Sequence, residues 1–213
     1  MRCFAAVWLA GEAVDRLGSW PRPRLAQTSL PSHEASARPT WAAHNTSCAS
    51  YDSCARYTTR EQWHVTLRFF GELDDRGVEL AGVALHKAAA GLPGPVRAVA
   101  GPQLTLLGPG LVVWPVSGLE LVAEKVVAAS SAVGAPPADR PFLGHVTVAR
   151  ARGRCDLRPY RALLECDLAA SWEVRSIALV ASELRQGGAV YCERASYPLG
   201  HPPPNTRLPL RFA

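Results

Sequence analysis

The chain has 213 residues, of which 48% are hydrophobic and 19% charged, a composition typical of a globular protein. Its formal net charge of +5 is compatible with an anionic ligand but does not identify one. The apolar run over residues 4–10 is shorter than the roughly 20 residues that span a bilayer, so we expect no membrane association. The six cysteines contain no CxxC pair, which argues against a disulfide scaffold and for a reducing, cytoplasmic compartment.

The first half of the sequence predicts strands and helices on either side of an irregular insertion. From about residue 22 to 59 periodicity is lost and Pro, Ser, Thr, Ala and Arg dominate, so we expect an irregular surface excursion there. The regular elements predicted in this half are a buried strand over 4–10, a helix over 12–20, a β-rich run over 63–70, a helix over 73–90, and strands over 96–107 and 111–116.

The second half of the sequence repeats one cue of the first. The elements predicted here are a helix over 119–133, a β-rich run over 143–151, a short helix near 157–164, and strands over 174–184 and 189–197. Each of the two β-rich runs carries His-Val-Thr, and the two copies start 81 residues apart, at His64 and His145. We therefore predict one domain over residues 1–213 with two lobes, one motif in each lobe, and both histidines at the cleft between them.

The two tetrapeptides place the same polar groups on one face of a strand. Side chains alternate along a strand, so His64 and Thr66 share one face while Val65 and Leu67 take the other. The segment 145–148 repeats this pattern with His145, Val146, Thr147 and Val148. Two histidines can serve as general acid and general base near neutral pH, since the unperturbed pKa is about 6.5. Threonine hydroxyls can bind phosphate oxygens, so the paired motifs predict hydrolysis of a phosphodiester.

Structural and metal-binding interpretations of these motifs are weaker. A single His-Val-Thr strand would more often hold a buried, hydrogen-bonded histidine, but two matched copies favour chemistry. A zinc site needs three or four ligands, and neither motif supplies a third histidine, cysteine or carboxylate nearby. We therefore expect a protein that needs no metal and no cofactor.

The sequence resembles the bacterial and archaeal RNA 2′,3′-cyclic phosphodiesterases, long labelled 2′-5′ RNA ligases, of the two-histidine phosphoesterase superfamily. The matching segments are Met1–Val7, Glu61–Glu72, His145–Arg150, Ser182–Leu184 and Gly187–Tyr191. The resemblance implies an α+β bilobal fold in which two antiparallel sheets flank a central cleft and the helices lie outside. It also implies metal-independent hydrolysis of terminal 2′,3′-cyclic phosphate to a 2′-phosphate, with 2′-5′ ligation as a weak side reaction.

The resemblance also implies roles for individual residues. His64 corresponds to the proton donor for the departing ribose 3′-oxygen and His145 to the base that activates water. Thr66 and Thr147 correspond to the residues that bind phosphate oxygens, and Arg150 to the arginine that follows the second motif.

Strand alternation by itself points to a different arginine. Arg150 lies five residues after His145, an odd offset that puts it on the opposite face unless the strand bulges. Arg68 lies at an even offset from His64 and is the better candidate by alternation alone, although a solvated arginine is the simpler interpretation.

Other functions remain open at this point. The same two histidines would serve a phosphodiesterase that acts on small cyclic nucleotides, and only the walls of the cleft would differ. A nucleotide- or RNA-binding module without turnover is a third hypothesis, which the matched acid and base argue against. The expected partners are therefore RNA 3′ ends or small cyclic-phosphate nucleotides, and we expect a monomer.

Overall fold

A computed structural model describes residues 1–23, 54–185 and 188–200. The described chain is α+β, as predicted, and its strand pairs are all antiparallel. Its strands are β1 (Arg2–Trp8), β2 (Ala55–Tyr57), β3 (His64–Glu72), β4 (Val96–Ala100), β5 (Thr105–Leu106), β6 (Leu111–Ser117), β7 (His145–Ala151), β8 (Ala170–Val174), β9 (Ser176–Arg185) and β10 (Gly188–Pro198). Its α-helices are α1 (Glu12–Ser19), α2 (Asp75–Ala90) and α3 (Glu120–Ser130), and turns of 3-10 helix cover Arg60–Gln62 and Arg158–Leu164.

The strands form two antiparallel half-sheets that meet at the motif strands. The strand order is β10-β9-β1-β3-β7-β6-β4-β8, with β2 beside β7 and β5 beside β6. Strands β3 and β7 are joined by the single pair Val65 and Val146. We call β10-β9-β1-β3 the first half-sheet and β7-β6-β4-β8 the second half-sheet. This arrangement confirms the predicted α+β fold, in which two antiparallel sheets flank a central cleft.

Helices α2 and α3 pack against the first half-sheet, and α1 packs against β8 of the second half-sheet. Helix α2 begins at Asp74, whose carboxylate accepts the Gly77 N–H at 2.7 Å, and it packs against α3, β9 and β10. Strand β1 is buried on both faces, and its alternate residues Phe4 and Ala6 form a small cluster separate from the main core. That cluster therefore marks the cleft face. In the described part of the chain, no helix is both long and apolar enough to cross a membrane.

The predicted irregular insertion is shorter at its C-terminal end than expected. Residues 24–53 lie outside the described residues, but residues 55–57 form β2, which pairs with β7 through Ala55–Ala151, Arg56–Arg150 and Tyr57–Ala149. The prediction that the irregular insertion extends to about residue 59 is therefore wrong for residues 55–57. A three-residue strand has too little periodicity to be recognised alone, and pairing with a distant strand stabilises it.

The segment over 96–107 is two strands rather than one. Strand β4 ends at Ala100, because Gly101 has φ of +103° and Pro102 has no N–H to donate to a ladder. Strand β5 follows and pairs with β6. Strand β8 over Ala170–Val174 was not predicted at all, and it pairs with β4 along its whole length.

A disulfide corrects the expectation drawn from the cysteines. Cys54 and Cys155 are bonded, with their Cα atoms 5.6 Å apart and a sequence separation of 101. Pairing of β2 with β7 brings the two together, and no local pattern in the sequence indicates that pairing. Cys3, Cys166 and Cys192 are free, as expected, and Cys48 lies outside the described residues.

Candidate functional site

The four predicted histidine and threonine residues come together where the half-sheets meet. Val65 and Val146 are fully buried Cα partners in the antiparallel pair of β3 and β7. The residues that flank this pair are His64 and Thr66 on β3 and His145 and Thr147 on β7. All four side chains are half-buried on the cleft face. The two motifs thus lie side by side where the half-sheets meet, and the charge of His145 acts on His64.

Both imidazoles are held in the same way. His64 Nδ1 lies 2.7 Å from the Gln62 carbonyl oxygen, and His145 Nδ1 lies 2.8 Å from the Leu143 carbonyl oxygen. A carbonyl oxygen can only accept, so each Nδ1 carries the hydrogen and the neutral ring has its lone pair on Nε2. The Thr66 hydroxyl, 3.1 Å from His64 Nε2, then donates to that nitrogen. Nε2 is therefore the nitrogen available for proton transfer in both motifs.

Three aromatic rings surround His64. The centroid of its imidazole lies 4.9 Å from that of Phe4, 5.0 Å from that of Tyr191 and 5.8 Å from that of Trp8. Trp8 is fixed in turn by a hydrogen bond from its Nε1 to the Glu193 carboxylate at 2.6 Å. Among the described residues, His145 has no such ring contact. The two histidines therefore share a backbone anchor but differ in what covers them.

The burial of His64 changes its protonation. Desolvation is the largest cause that lowers its pKa, to about 4, and the hydrogen bond to the Gln62 carbonyl opposes this shift. The positive charges of Arg150 and protonated His145 lower the pKa further. In the free protein, His64 is therefore uncharged at neutral pH.

Matching bulges interrupt the two motif strands three to four residues after the histidines. Along β3 the Cα partners pass from Ala6–Thr66 to Ala5–Arg68, which leaves Leu67 as an extra residue. Along β7 they pass from Val113–Thr147 to Val112–Ala149, which leaves Val148 as an extra residue in the same way. A bulge reverses the alternation of faces. Consequently the residue five positions after each histidine returns to the cleft face.

Those two returning residues are Phe69 and Arg150. Phe69 is 58% exposed, and its ring centroid lies 5.7 Å from that of Phe4 on the cleft face. Arg150 is exposed, lies beside Leu111 of β6 and acts electrostatically on His64. The bulge in β7 therefore resolves the odd offset that argued against Arg150. Among the described residues, Arg150 has no ion pair.

The alternative arginine, Arg68, is on the wrong face. The bulge in β3 turns it into the core, where it is 5% exposed and its pKa is lowered by burial. It donates to the Ser130 hydroxyl and, at 3.0 Å each, to the carbonyls of Val133 and Ala135. Ser130 is the last residue of α3, and Val133 and Ala135 lie in the segment that follows it. Arg68 is thus a structural residue that fixes the chain after α3.

The assembled groups suit a tetrahedral anion. Two imidazole Nε2 atoms can give and take protons, two hydroxyls can donate to anionic oxygens, and Arg150 contributes a positive charge. In the described part of the chain, no group of three or more His, Cys, Asp and Glu side chains is placed to hold a metal ion. The aromatic residues around His64 were missed from the sequence. Phe4 and Trp8 do lie at even spacing on β1, but that spacing alone does not say which face meets the cleft.

Comparison with known proteins identifies the fold. No protein-family model matches the sequence, and no curated protein sequence matches it significantly. Solved structures do match. The crystal structure of TT0787 of Thermus thermophilus aligns with a TM-score of 0.66 and 22% identity, over 93% of this chain and 98% of that one. E. coli LigT complexed with 3′-AMP aligns with a TM-score of 0.63 and 18% identity, over 94% and 98%. A structure described as a phosphoesterase aligns with a TM-score of 0.61 and 17% identity, over the same shares.

Proposed function

We propose that this protein is a two-histidine phosphoesterase that hydrolyses the terminal 2′,3′-cyclic phosphate of RNA to a 2′-phosphate without a metal ion. The observation that carries the proposal is the pairing of Val65 with Val146, which brings the two His-Val-Thr motifs side by side on β3 and β7. One phosphate between the strands would meet an acid, a base and two hydroxyls. The likeness in fold to E. coli LigT, solved with 3′-AMP, supports a nucleotide substrate.

The two histidines act as base and acid in a single step, in which water displaces the ribose 3′-oxygen from phosphorus. His145 Nε2 takes a proton from water as the water oxygen attacks the phosphorus atom. The bond from phosphorus to the ribose 3′-oxygen breaks, and His64 Nε2 gives a proton to that oxygen, which leaves a 2′-phosphate. Thr66 and Thr147 donate to the non-bridging oxygens, and Arg150 offsets their charge. A ribose 5′-hydroxyl in place of water would give 2′-5′ ligation by the same groups.

Substrate binding allows His64 to take up from solvent the proton that it needs. His64 is uncharged in the free protein because burial among Phe4, Trp8 and Tyr191 lowers its pKa to about 4. A phosphate anion next to the imidazole favours the charged form and raises that pKa. The proton is therefore taken up together with substrate and then passed to the leaving oxygen.

The aromatic rings on the first half-sheet favour a nucleoside over a simple phosphodiester. Phe69 is 58% exposed beside Phe4, and Tyr191 packs edge-on against Phe4 at 5.3 Å between centroids. Exposed ring faces next to a phosphate site offer a platform on which an unpaired base can stack. RNA ends present such unpaired bases.

The product assay tests this proposal. The purified protein is incubated in excess EDTA with RNA that ends in 2′,3′-cyclic phosphate, and the product is identified by phosphorus NMR. We expect a 2′-phosphate at a rate that EDTA does not change. A preparation that carries both His64→Ala and His145→Ala serves as the control for contaminating nucleases. Cleavage abolished by EDTA would contradict the metal-free mechanism, and absence of cleavage would favour a binding module.

A further inference from the structure

We propose that Arg154, which lies between Arg150 and the ion pair of Arg158 with Asp156, binds the internucleotide phosphate on the 5′ side of the cyclic end. This inference rests on the proposed function and makes it more specific. It assigns as substrate an RNA strand that ends in cyclic phosphate, rather than a mononucleotide.

The subsite is an open cavity of about 610 Å³ that begins at Arg150. Its charged lining consists of Arg150, Arg154, Arg158 and Asp156, a net charge of +2. Asp156 is engaged by Arg158, with Nη2 to Oδ2 at 2.6 Å and Nε within 3.0 Å of both oxygens. In the described part of the chain, Arg150 and Arg154 have neither an ion pair nor a side-chain hydrogen bond. Since Arg150 faces the reacting phosphate in the proposed mechanism, the Arg154 guanidinium is the group available to a second phosphate at this end of β7.

The segment that carries Arg154 and Arg158 is held in place on both sides. Cys155 is bonded to Cys54 at the start of β2. The Ala151 N–H donates to the Gly110 carbonyl and the Leu157 N–H to the Pro109 carbonyl, each at 2.8 Å. The backbone of the segment that carries Arg154 and Arg158 is therefore held by the disulfide and by these hydrogen bonds, which lowers the cost of ordering this segment when a ligand binds.

The cavity continues away from the motif strands. Arg158 and Pro109 also line a second cavity of about 360 Å³, which reaches Arg161. A positively charged groove of this kind follows the backbone of a single strand. The cyclic phosphate is at the 3′ terminus, so the remaining RNA extends only in the 5′ direction. The groove that starts at Arg150 therefore receives the phosphates that precede the reacting one.

Kinetics on two substrates test the subsite. The substrates are adenosine 2′,3′-cyclic phosphate and a hexanucleotide RNA that ends in 2′,3′-cyclic phosphate, measured over a series of salt concentrations. We expect Arg154→Gln to lower kcat/KM for the hexanucleotide about tenfold and to leave the mononucleotide unchanged. For the hexanucleotide, log kcat/KM decreases with log salt, and Arg154→Gln should make this negative slope shallower by about 0.7. That is the value for one phosphate contact on a single strand.

The matched control is Arg76→Gln, which removes the same charge from the exposed start of α2. Arg76→Gln should leave kcat/KM unchanged for both substrates. An equal loss on both substrates with Arg154→Gln, or no loss on either, would overturn the subsite.

A binding measurement separates this inference from the proposed function. The probe is a fluorescent hexanucleotide that ends in 2′-phosphate, which the protein cannot hydrolyse further. We expect Arg154→Gln to weaken its binding about tenfold while Arg76→Gln does not. If the wild-type protein turned over neither substrate, the proposed function would fail, and weaker binding by Arg154→Gln alone would still support the groove. Unchanged binding by Arg154→Gln would overturn it.

Discussion

Strands β3 and β7 carry the same motif in different surroundings. Both strands hold their histidine through Nδ1 and a carbonyl two residues earlier, and both bulge at the same distance beyond it. The neighbours differ. Three rings pack around His64 and the residue five positions later is Phe69, whereas His145 has no ring contact in the described chain and is followed by Arg150. The first half-sheet thus supplies desolvation and apolar faces, and the second supplies charge.

This comparison shows how one pattern can yield two chemical roles. The motif and its bulge fix where the imidazole, the hydroxyl and the fifth residue point. The strands that lie beside each motif then set how far the imidazole is desolvated, and desolvation lowers its pKa. Phe4 and Trp8 of β1 perform this function for His64. The acid role proposed for His64 therefore requires that bound phosphate raise its pKa.

Removing either histidine should have the largest effect. His64→Ala and His145→Ala should each lower kcat on RNA cyclic phosphate by about 10²–10⁴-fold, because acid and base act in one step. A substrate whose leaving group is 4-nitrophenolate needs no acid, so it separates the two roles. On the 4-nitrophenyl ester of a nucleoside 2′-phosphate, His64→Ala should recover most of its rate and His145→Ala should not. Recovery by His145→Ala instead would exchange the two assignments.

Removing the phosphate ligands should have an intermediate effect that is shared by both strands. Thr66→Val and Thr147→Val should each lower kcat/KM by about 10–100-fold, since each loses one hydrogen bond to a charged group. Thr→Ser at the same positions keeps the hydroxyl and serves as the control. If the Thr→Ser and Thr→Val variants lost kcat/KM equally, the methyl group of threonine rather than its hydroxyl would be the important group.

Arg150 and Phe69 occupy equivalent positions and should respond differently to substitution. Arg150→Gln should lower kcat/KM for adenosine 2′,3′-cyclic phosphate by about tenfold or more, because a charge near the phosphate is lost. Phe69→Leu should chiefly raise KM, since only stacking on an exposed ring is lost, about 1–3 kcal/mol per base. Equal effects of both changes on kcat would contradict the division between the half-sheets.

Arg68 should affect stability and not catalysis. Arg68→Met leaves the carbonyls of Val133 and Ala135 and the Ser130 hydroxyl without their donor, so the free energy of unfolding should fall by about 3 kcal/mol. Chemical denaturation measures this change, and Arg76→Met on the surface of α2 is the control. A fully stable Arg68→Met protein with lost activity would restore Arg68 as a ligand of the phosphate.

The sequence predicted the centre of the site better than its edges. The alternation in His64–Leu67 and in His145–Val148 is local, so the shared face of each histidine and threonine was correctly derived. The bulges that follow depend on the register of β3 with β1 and of β7 with β6, and no pattern within the sequence of either motif strand indicates them. For that reason alternation favoured Arg68, which is buried, over Arg150, which returns to the cleft face.

Tertiary pairing also explains the missed elements of the fold. Strand β2, strand β8 and the Cys54–Cys155 disulfide all depend on partners far away in sequence. The aromatic residues around His64 come from β1 and β10, which lie more than 50 and 120 residues from it. Their identity was readable from the sequence, but their meeting at one imidazole was not.

NMR titration of the His64 imidazole tests most directly the claim that the aromatic half-sheet holds this histidine uncharged until phosphate binds. In the free protein the midpoint should lie near pH 4, because burial lowers its pKa, so the ring is charged only below that pH. Saturation with adenosine 2′-phosphate should raise the midpoint of His64. A midpoint for His64 that stays near 4 in the presence of bound ligand would contradict the account.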